Sequence, residues 1–582
     1  MTTTVLEAPT APGRLGFARQ EDVDLFVQRL EAFEKGELGA DDWRTFRLLN
    51  GVYGQRQEGY MMVRAKLPGG IVTPAQLTAL AQIAESHANG KAHVTTRQNV
   101  QFHFVPNADV ESALNLLADS GITTKEACGP SVRNWTCCPF AGVAKDEPFD
   151  PTPYVEALAR HLLRGPYSSS LPRKLKPSLG GCCGTDCSQA FINDLGFLAR
   201  KRGDELGFQV IAGGGLSTLR RSAIVVEEFI PQAELLEAAD AVVRVFNRIG
   251  NRHNRAKARL KWAIDKIGKD AFIAEYHAER ATIRAEGGVP LVLPAQPAPP
   301  ARRAALAQAT PPDAEYLAWA EHNVRPQKQP GFSAVVIRLV LGDIKPQQLR
   351  DLASLLGHYG ENELRTTNEQ NLVLRFVPDA RLPALHRELV RAGLALGGAN
   401  TLADVTSCPG ASSCKLAVTN SRGLGGHLTD HLEALLDRRP ELRTAVRGLD
   451  VKISGCPHGC GQHYIAGIGF QGGMRKLAGR PAPQYLIYAG GGMTATGAAF
   501  GRLLGKVPAR RAGATLERLL DFYVSEGGTG PGFFGSAPIT VLRDLIKDLG
   551  ELKDEDATDE DFIDIGEAQA FEVQTGEGEC AV

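Results

Sequence analysis

Four cysteines in the C-terminal half form two pairs whose spacing suits a sulfur-ligated metal centre. Cys408 and Cys414 lie in TSCPGASSCKLAVTN, and Cys456 and Cys460 lie in ISGCPHGCGQH. Four soft thiolates in two pairs favour zinc or an iron–sulfur cluster. Zinc ribbons prefer shorter C-x2-C knuckles, whereas these loops hold prolines and glycines that let backbone N–H groups turn toward cluster sulfurs. The spacing favours a [4Fe–4S] cluster, with zinc or buried thiols as the alternatives.

The sequence elements that must position these cysteines occur as two similar copies along the chain. The segment LPGGIVTPAQL at 67–77 resembles VLGDIKPQQL at 340–349, and Ala-Gly-Gly-Gly occurs at both 212–215 and 489–492. Thr95, Gln98, Asn99 and the following Phe-Val-Pro recur at Thr367, Gln370, Asn371 and a second Phe-Val-Pro. Matches at a nearly constant offset indicate a duplication with pseudo-two-fold symmetry. A shared active site would lie where the two copies meet, because pockets favour domain interfaces.

Hydrophobic periodicity predicts α/β modules in both copies. In the first copy it predicts strands at 60–67 and 99–105 and helices at 73–88 and 109–120. The predicted organisation is an N-terminal segment with the first half-domain at 1–120, an α/β region at 121–287, a Pro/Ala-rich linker at 288–312, a second half-domain at 313–399, a second α/β region with the cysteine pairs at 400–550, and an acidic, mobile or loosely docked tail at 551–582.

Composition narrows the class of protein. The 582 residues carry 65 Lys plus Arg against 66 Asp plus Glu, so the net charge of −1 gives no reason to expect nucleic acid or an anionic membrane as a partner. No apolar run approaches the length of a membrane span, and the N-terminus lacks the pattern of a signal peptide. A cytoplasmic location is therefore predicted. The eleven cysteines are then better explained as thiols or metal ligands than as disulfides.

Both cysteine segments resemble the siroheme/[4Fe–4S] signature of the sulfite and nitrite reductase family, and the duplication covers almost the whole chain. The resemblance implies an α+β architecture of α/β modules: the pseudo-two-fold duplicated nitrite/sulfite reductase fold, with ferredoxin-like half-domains and two larger siroheme- and cluster-binding domains. It implies that Cys408, Cys414, Cys456 and Cys460 ligate the cluster. Cys460 would also bridge to the siroheme iron, which leaves the opposite axial position open for substrate.

The same resemblance assigns cations to the substrate anion. Arg64 in YMMVRAKLPGG, Arg133 in GPSVRNWTCCPFAG, and Lys174 with Lys176 in LPRKLK match the anion site of the family. A cation ~4 Å from the substrate contributes about 4 kcal/mol at an effective dielectric near 20, and lysine can also donate protons. Lys66 shares the strand face of Arg64 by the period of two, and its role is left open.

A polar strand face supplies candidate donors to the siroheme carboxylates. TTRQNVQFHF places Arg97, Asn99, Gln101 and His103 on one face of a strand. The resemblance favours Arg97, Gln101 and His103 as siroheme contacts, whereas a solvent-facing strand side is the simpler alternative. Arg255, Lys257 and Arg259 in NRHNRAKARLK are weaker candidates for further cations, and the two glycine loops could approach carboxylates or form ordinary turns.

One motif departs from the family pattern. LGGCCGTDC holds Cys182, Cys183 and Cys187, and Cys138-Pro139 resembles Cys408-Pro409. The duplication could have left a partial second cluster site, but the position that matches Cys414 is Ala144. Incidental thiols are the favoured interpretation.

The activity predicted from these features is six-electron reduction of sulfite to sulfide. Sulfite reductases of the family show Lys-x-Lys at 174–176, whereas ferredoxin-type nitrite reductases tend to show Lys-x-Asn. Nitrite reduction to ammonia is the alternative, followed by a corrin-ring-modifying enzyme and by a non-catalytic iron–sulfur protein. Because the chain shows no Rossmann or flavin fingerprint, electrons must come from an external donor, a ferredoxin or a flavoprotein reductase.

Overall fold

Four modules follow one another along the chain in a computed structural model that describes residues 14–181, 186–298 and 311–574, together with 576 and 579. Two are half-domains and two are larger α/β domains. Residues 299–310 of the predicted linker, and Cys182 and Cys183, lie outside the described residues. Among the residues described, no helix has the length and apolarity needed to cross a bilayer.

The first half-domain has the strand and helix order predicted from periodicity. Its strands are β1 (Val52–Gly54), β2 (Tyr60–Ala65), β3 (Ile71–Val72), β4 (Ala92–Val94) and β5 (Val100–Pro106). Its helices are α1 (Gln20–Glu34), α2 (Ala40–Leu49), α3 (Pro74–Ser86) and α4 (Val110–Asp119). Helix α3 begins where predicted because Thr73 and Gln76 form a capping box ahead of Pro74.

The first α/β domain contains β6 (Thr136–Cys137), β7 (Pro177–Gly180), β8 (Leu195–Arg202), β9 (Glu205–Ala212) and β10 (Ile224–Pro231). Its helices are α5 (Thr152–Leu162), α6 (Leu235–Ile249), α7 (Leu260–Ile267) and α8 (Lys269–Ala285). Strands β6, β7 and β8 pair in parallel, and β9 and β10 add antiparallel strands to the same sheet.

The second half-domain repeats the first, with α9 (Ala314–Asn323), β11 (Val324–Pro326), β12 (Phe332–Ile337), β13 (Asp343–Ile344), α10 (Pro346–Leu355), β14 (Leu364–Thr366), β15 (Leu372–Pro378) and α11 (Leu382–Arg391). The repeat extends to unusual backbone conformations. Gln98 and Gln370 both have positive φ, of 57° and 67°. The side-chain oxygens of both accept a backbone N–H from the α/β domain of their own copy, at Cys137 and Ser407.

The second α/β domain carries the cysteine pairs. Its strands are β16 (Thr406–Ser407), β17 (Val451–Ser454), β18 (Ile468–Leu477), β19 (Arg480–Ala489), β20 (Gly492–Thr494), β21 (Gly497–Ala499) and β22 (Arg502–Pro508). Its helices are α12 (Ser421–Arg438), α13 (Leu442–Ala445), α14 (Ala512–Ser525), α15 (Phe533–Ser536) and α16 (Ile539–Gly550). The main sheet, β16-β17-β18-β19-β22, repeats the parallel-then-antiparallel order of the first α/β domain.

The two half-domains interlock through exchanged strands. The first sheet has the order β1-β2-β5-β4-β13, and the second has the order β11-β12-β15-β14-β3, so each ends in a short strand from the other copy. In these pairs Asp343 lies opposite His93, and Leu364 lies opposite Val72. One continuous apolar core runs through both half-domains. This interlocking holds the two α/β domains on either side of a common interface.

Candidate functional site

One large cavity lies where the copies meet. Its volume is about 1600 Å³, counted to its open mouth. Both half-domains and both α/β domains contribute to its wall. The cavity brings together the eleven residues that were the main candidates from the sequence: Arg64, Arg97, Gln101, His103, Arg133, Lys174, Lys176, Cys408, Cys414, Cys456 and Cys460.

The four cysteines reach the cavity from the ends of two neighbouring parallel strands. Cys408 directly follows β16, and Cys456 follows β17, so both pairs start at one edge of the sheet. Cys408 and Cys456 are buried, Cys414 is half-buried and Cys460 is exposed toward the cavity. Burial and the neighbouring thiols of Cys460 and Cys408 raise the pKa of Cys456. The thiols therefore lie within electrostatic reach of one another.

This donor set fits an iron–sulfur cluster. All four thiols face one space, and the backbone N–H of Gly455 points at Cys408 Sγ, 3.4 Å away. The hydroxyl of Ser421 lies 3.2 Å from the same sulfur. Such contacts to sulfur are a means of tuning a cluster. Within the described part of the chain, no three Cys, His, Asp or Glu side chains converge as a single-ion site requires.

Two arginines form the first part of a cationic wall. The Nη1 atoms of Arg64 and Arg133 donate to the same carbonyl oxygen, that of Ala127, over 3.2 and 3.0 Å. Arg133 also donates to Gly129 O. With its amide oxygen turned to accept, Gln101 lies 3.1 Å from Arg64 Nε. These contacts fix both guanidinium groups side by side on the cavity wall.

Two lysines from the segment before β7 complete this wall. Lys174 and Lys176 line the cavity as the spacing predicted. The backbone N–H of Lys176 is held by the buried Asp194 carboxylate over 2.7 Å. Burial, together with Arg259 and Arg97, lowers the pKa of Lys176 well below its usual range. This lysine is therefore able to lose and regain a proton closer to neutral pH than an exposed lysine.

The polar strand face of β5 and the turn before it lines the cavity rather than the solvent. Arg97, Asn99, Gln101 and His103 all contribute to the wall. Burial lowers the pKa of Arg97 to about 9, and its Nη2 donates to the backbone carbonyls of Asn134 and Pro177.

Some polar atoms of this wall are unsatisfied. His103 Nε2 and Asn368 Oδ1 are buried, and neither has a hydrogen-bond partner among the described residues. Both residues line the cavity. Buried polar atoms without partners are rare in folded proteins, so their presence fits a wall that receives a ligand with several polar groups. A tetrapyrrole bearing many carboxylates meets that description.

Other candidates lie elsewhere. Lys66 lies one residue past the end of β2, where its backbone pairs with Thr123. Its side chain is buried outside the cavity, with Nζ 3.8 Å from Glu126 Oε2 and 3.4 Å from Val132 O. The glycines of the two loops do not line the cavity, and neither do Arg255, Lys257 and Arg259. The first amide of each loop is bonded within its own domain, since Gly213 N donates to Asp194 O and Gly490 N donates to Gly467 O. The described part of the acidic tail is packed rather than loosely docked, because Phe562 and Phe571 are buried and Asp564 accepts from Asn420 N.

One residue of the cavity wall escaped the sequence reasoning entirely. Glu579, near the C-terminus, is 8% exposed, lines the cavity and forms a buried ion pair with Arg47 at the end of α2. It also accepts a 2.7 Å hydrogen bond from Gly54 N. In the sequence Glu579 is one acidic residue in an acidic tail, so no local signal distinguishes it.

Removing this carboxylate is expected to open the edge of the first sheet at Gly54. A hydrogen bond to a charged group contributes about 2 kcal/mol, so Glu579→Ala should lower hydrogen-exchange protection of the Gly54 amide by about thirtyfold. Glu572→Ala removes an exposed glutamate of the same tail and serves as the control. Unchanged protection in Glu579→Ala would contradict the observed role of the ion pair.

Two models of known protein families match this chain. A family model described as the nitrite and sulphite reductase 4Fe-4S domain matches residues 128–284 and 398–532. A second, for the nitrite/sulfite reductase ferredoxin-like half domain, matches residues 53–120 and 325–392. The matches cover both α/β domains and both half-domains.

Several relatives and one solved structure are similar along most of the chain. A sulfite reductase [ferredoxin] of Mycobacterium tuberculosis is 31% identical over 505 residues, which cover 83% of this chain and 86% of the relative. A ferredoxin–nitrite reductase of Synechococcus elongatus is 31% identical over 444 residues, 74% of this chain and 80% of the relative. The structure of the M. tuberculosis NirA protein matches with a TM-score of 0.75 and 29% identity, covering 90% of this chain and 95% of that one.

Proposed function

Because this chain belongs to the nitrite and sulfite reductase family, we propose that it reduces sulfite to sulfide by six electrons, with six-electron reduction of nitrite to ammonia as the alternative or second activity. The chain is an oxidoreductase of this family, whose cofactors are siroheme and a [4Fe–4S] cluster. The observation that carries the proposal is the shared cavity. Cationic side chains and four thiols face the same space, as a site that delivers electrons to an anion requires.

The four cysteines are proposed to hold the cluster, and Cys460 to provide the thiolate shared with the siroheme iron. The exposure of Cys460 toward the cavity supports its choice over the buried Cys408 and Cys456. Arg97, Gln101 and His103 are proposed to bind siroheme carboxylates, supported by their place on the wall and by the unpartnered His103 Nε2. When bound, the siroheme supplies an iron that takes the substrate, and the cluster stores the electrons that reduce it.

Arg64 and Arg133 are proposed to bind and orient the substrate anion. Their planar guanidinium groups can donate to two oxygens of an anion at once, and their shared carbonyl partner keeps them adjacent. Lys174 and Lys176 are proposed to add positive charge and to deliver protons. Protons are needed throughout, since HSO3− + 6e− + 6H+ gives HS− and three waters, and NO2− + 6e− + 8H+ gives NH4+ and two waters.

Sulfite is favoured over nitrite because the cavity contains a second lysine. Sulfite carries up to two negative charges, so an additional cation stabilises its binding more than it stabilises the binding of the singly charged nitrite. Lys176 provides such a cation, and burial, together with Arg259, lowers its pKa below that of an exposed lysine, which eases release of its proton. The relatives named for sulfite and for nitrite described above are both 31% identical to this chain, so the preference for sulfite is inferred from the site itself.

An external donor must provide the electrons. The relatives are named as ferredoxin-dependent reductases, which supports a ferredoxin as the donor here, with a flavoprotein reductase as the alternative. A low-potential ferredoxin near roughly −400 mV has sufficient driving force for both substrates. A cytoplasmic location is part of this proposal.

Steady-state turnover with a chemical reductant tests the proposed substrate directly. Purified, cofactor-loaded protein should reduce both anions, with kcat/KM for sulfite at least about tenfold above that for nitrite. Sulfide and ammonia are measured as products, and heat-denatured protein is the control. A larger kcat/KM for nitrite would replace the sulfite assignment with the alternative. Failure to reduce either anion would reject the proposed function.

A further inference from the structure

A buried carboxylate outside the cavity holds two of the cationic segments together. Asp194 begins the turn into β8, and its side chain is 0% exposed. Its Oδ1 accepts from Arg259 Nε over 2.8 Å, and its Oδ2 accepts from Arg259 Nη2 over 2.7 Å. The same Oδ2 accepts the backbone N–H of Lys176 over 2.7 Å. One carboxylate therefore connects the lysine segment before β7 with the segment that leads into α7.

This carboxylate sits among cations. Burial lowers the pKa of Arg97 to about 9 and the pKa of Lys261 to about 7. The negative charge of Asp194 acts in the opposite direction and raises both pKa values. Arg259, in contrast, lowers the pKa of Lys176, of Arg97 and of Lys261. Bidentate pairing with Asp194 fixes where the Arg259 charge lies, so the carboxylate sets both the position of Lys176 and the field around it.

We propose that Asp194 is a positioning residue for anion reduction, acting through Lys176. This inference rests on the proposed function, which places Lys176 against the substrate. Asp194 itself does not line the cavity, so it reaches the reacting anion only through the groups it holds. Misplacing a reacting group by about 1 Å can cost on the order of a hundredfold in rate, which makes such an anchor kinetically visible.

The alternative is that Asp194 only stabilises the fold. The Asp194 backbone also pairs with the lysine segment, because Asp194 N donates to Lys176 O over 2.9 Å. An Asp194→Asn variant keeps this backbone pairing and the side-chain shape. It replaces one carboxylate oxygen by an amide that cannot accept from Arg259, so the bidentate pair is lost while the strand register remains.

A double-mutant cycle separates the two explanations. Asp194→Asn is expected to lower kcat/KM for sulfite by about tenfold in the otherwise native, cofactor-loaded enzyme. In a Lys176→Met background the same substitution should change kcat/KM by less than about twofold, since the group through which it acts has been removed. The absorbance of bound cofactor relative to protein, measured for all four enzymes, ensures that equal amounts of loaded enzyme are compared.

Asp404→Asn provides the matched control. Asp404 is a buried carboxylate of the second copy that accepts from Asn371 Nδ2 and Asn400 N and lies 3.6 Å from Arg338 Nε, away from the cavity. Loss of the Asp404 carboxylate should lower the free energy of unfolding without changing kcat/KM for sulfite.

Equal effects of Asp194→Asn with and without Lys176, or an equal loss in Asp404→Asn, would overturn the inference and leave a structural role. Native enzyme that reduces neither sulfite nor nitrite would instead reject the proposed function. The two failures are therefore distinguishable.

Discussion

Serine in place of Cys408 is expected to remove the iron–sulfur cluster and nearly all turnover. Serine keeps the side-chain size but lacks the soft thiolate that iron prefers. Replacing a residue that only hydrogen-bonds to a metal ligand already costs about 10–100-fold in metal affinity or activity, so losing a ligand should cost more than about a thousandfold in kcat. The measurements are iron and acid-labile sulfide per chain, visible absorption, and sulfite turnover with a chemical reductant.

The duplication provides a matched control for this experiment. Cys138 stands in the same Cys-Pro dipeptide in the first copy and is also buried, but it does not line the cavity. Cys138→Ser should therefore keep the full cluster and turn over sulfite within about twofold of the native enzyme. If Cys408→Ser retained iron, sulfide and activity, the assignment of the C-terminal cysteine pairs to a cluster would be wrong.

Replacement of Lys176 by asparagine is expected to lower kcat/KM for sulfite by about a hundredfold and that for nitrite by about tenfold. A cation ~4 Å from a single charge contributes about 4 kcal/mol at an effective dielectric of 20, and solvent in the cavity reduces this to about 2–3 kcal/mol for sulfite. The singly charged nitrite loses about half as much. The ratio of the two kcat/KM values should therefore fall by about tenfold, measured on equally loaded enzyme.

The pH dependence of this effect follows from the environment of Lys176. Because burial and Arg259 lower its pKa well below the usual range, the native enzyme loses this ammonium group at a lower pH than an exposed lysine would. The KM for sulfite should therefore rise as the pH is raised, and this component should be missing in Lys176→Asn. Lys66→Met is the control, since Lys66 is a buried lysine outside the cavity. It should lower the melting temperature but leave the substrate ratio unchanged, and a changed ratio would show that the Lys176 effect is not specific.

Local motifs made the chemistry of this site predictable. The cysteine pairs follow two parallel strands, so spacing along the chain translates directly into proximity at one sheet edge. The period of two placed Arg97, Gln101 and His103 on one side, and all three face the cavity. The same rule could not separate Lys66 from Arg64. Strand β2 ends at Ala65, so Lys66 pairs with Thr123 instead of continuing the strand, and its ammonium group lies beside the buried Glu126 carboxylate, outside the cavity.

The sequence by itself determined the duplication, the order of the strands and helices predicted in the first half-domain, the cysteine pairs proposed to hold the cluster, and the cations of the cavity, because each of these is encoded in short local motifs. Only the tertiary structure decided which carboxylates lie against the cations in and around the cavity. Asp194 reaches Arg259 from 65 positions away, and Glu579 reaches Arg47 from 532 positions away. No local pattern in the sequence distinguishes these two carboxylates from the rest of the 66 acidic residues, because only folding places them against buried cations. The exchange of β3 and β13 between half-domains was likewise settled by long-range backbone pairing, which leaves no local pattern in the sequence.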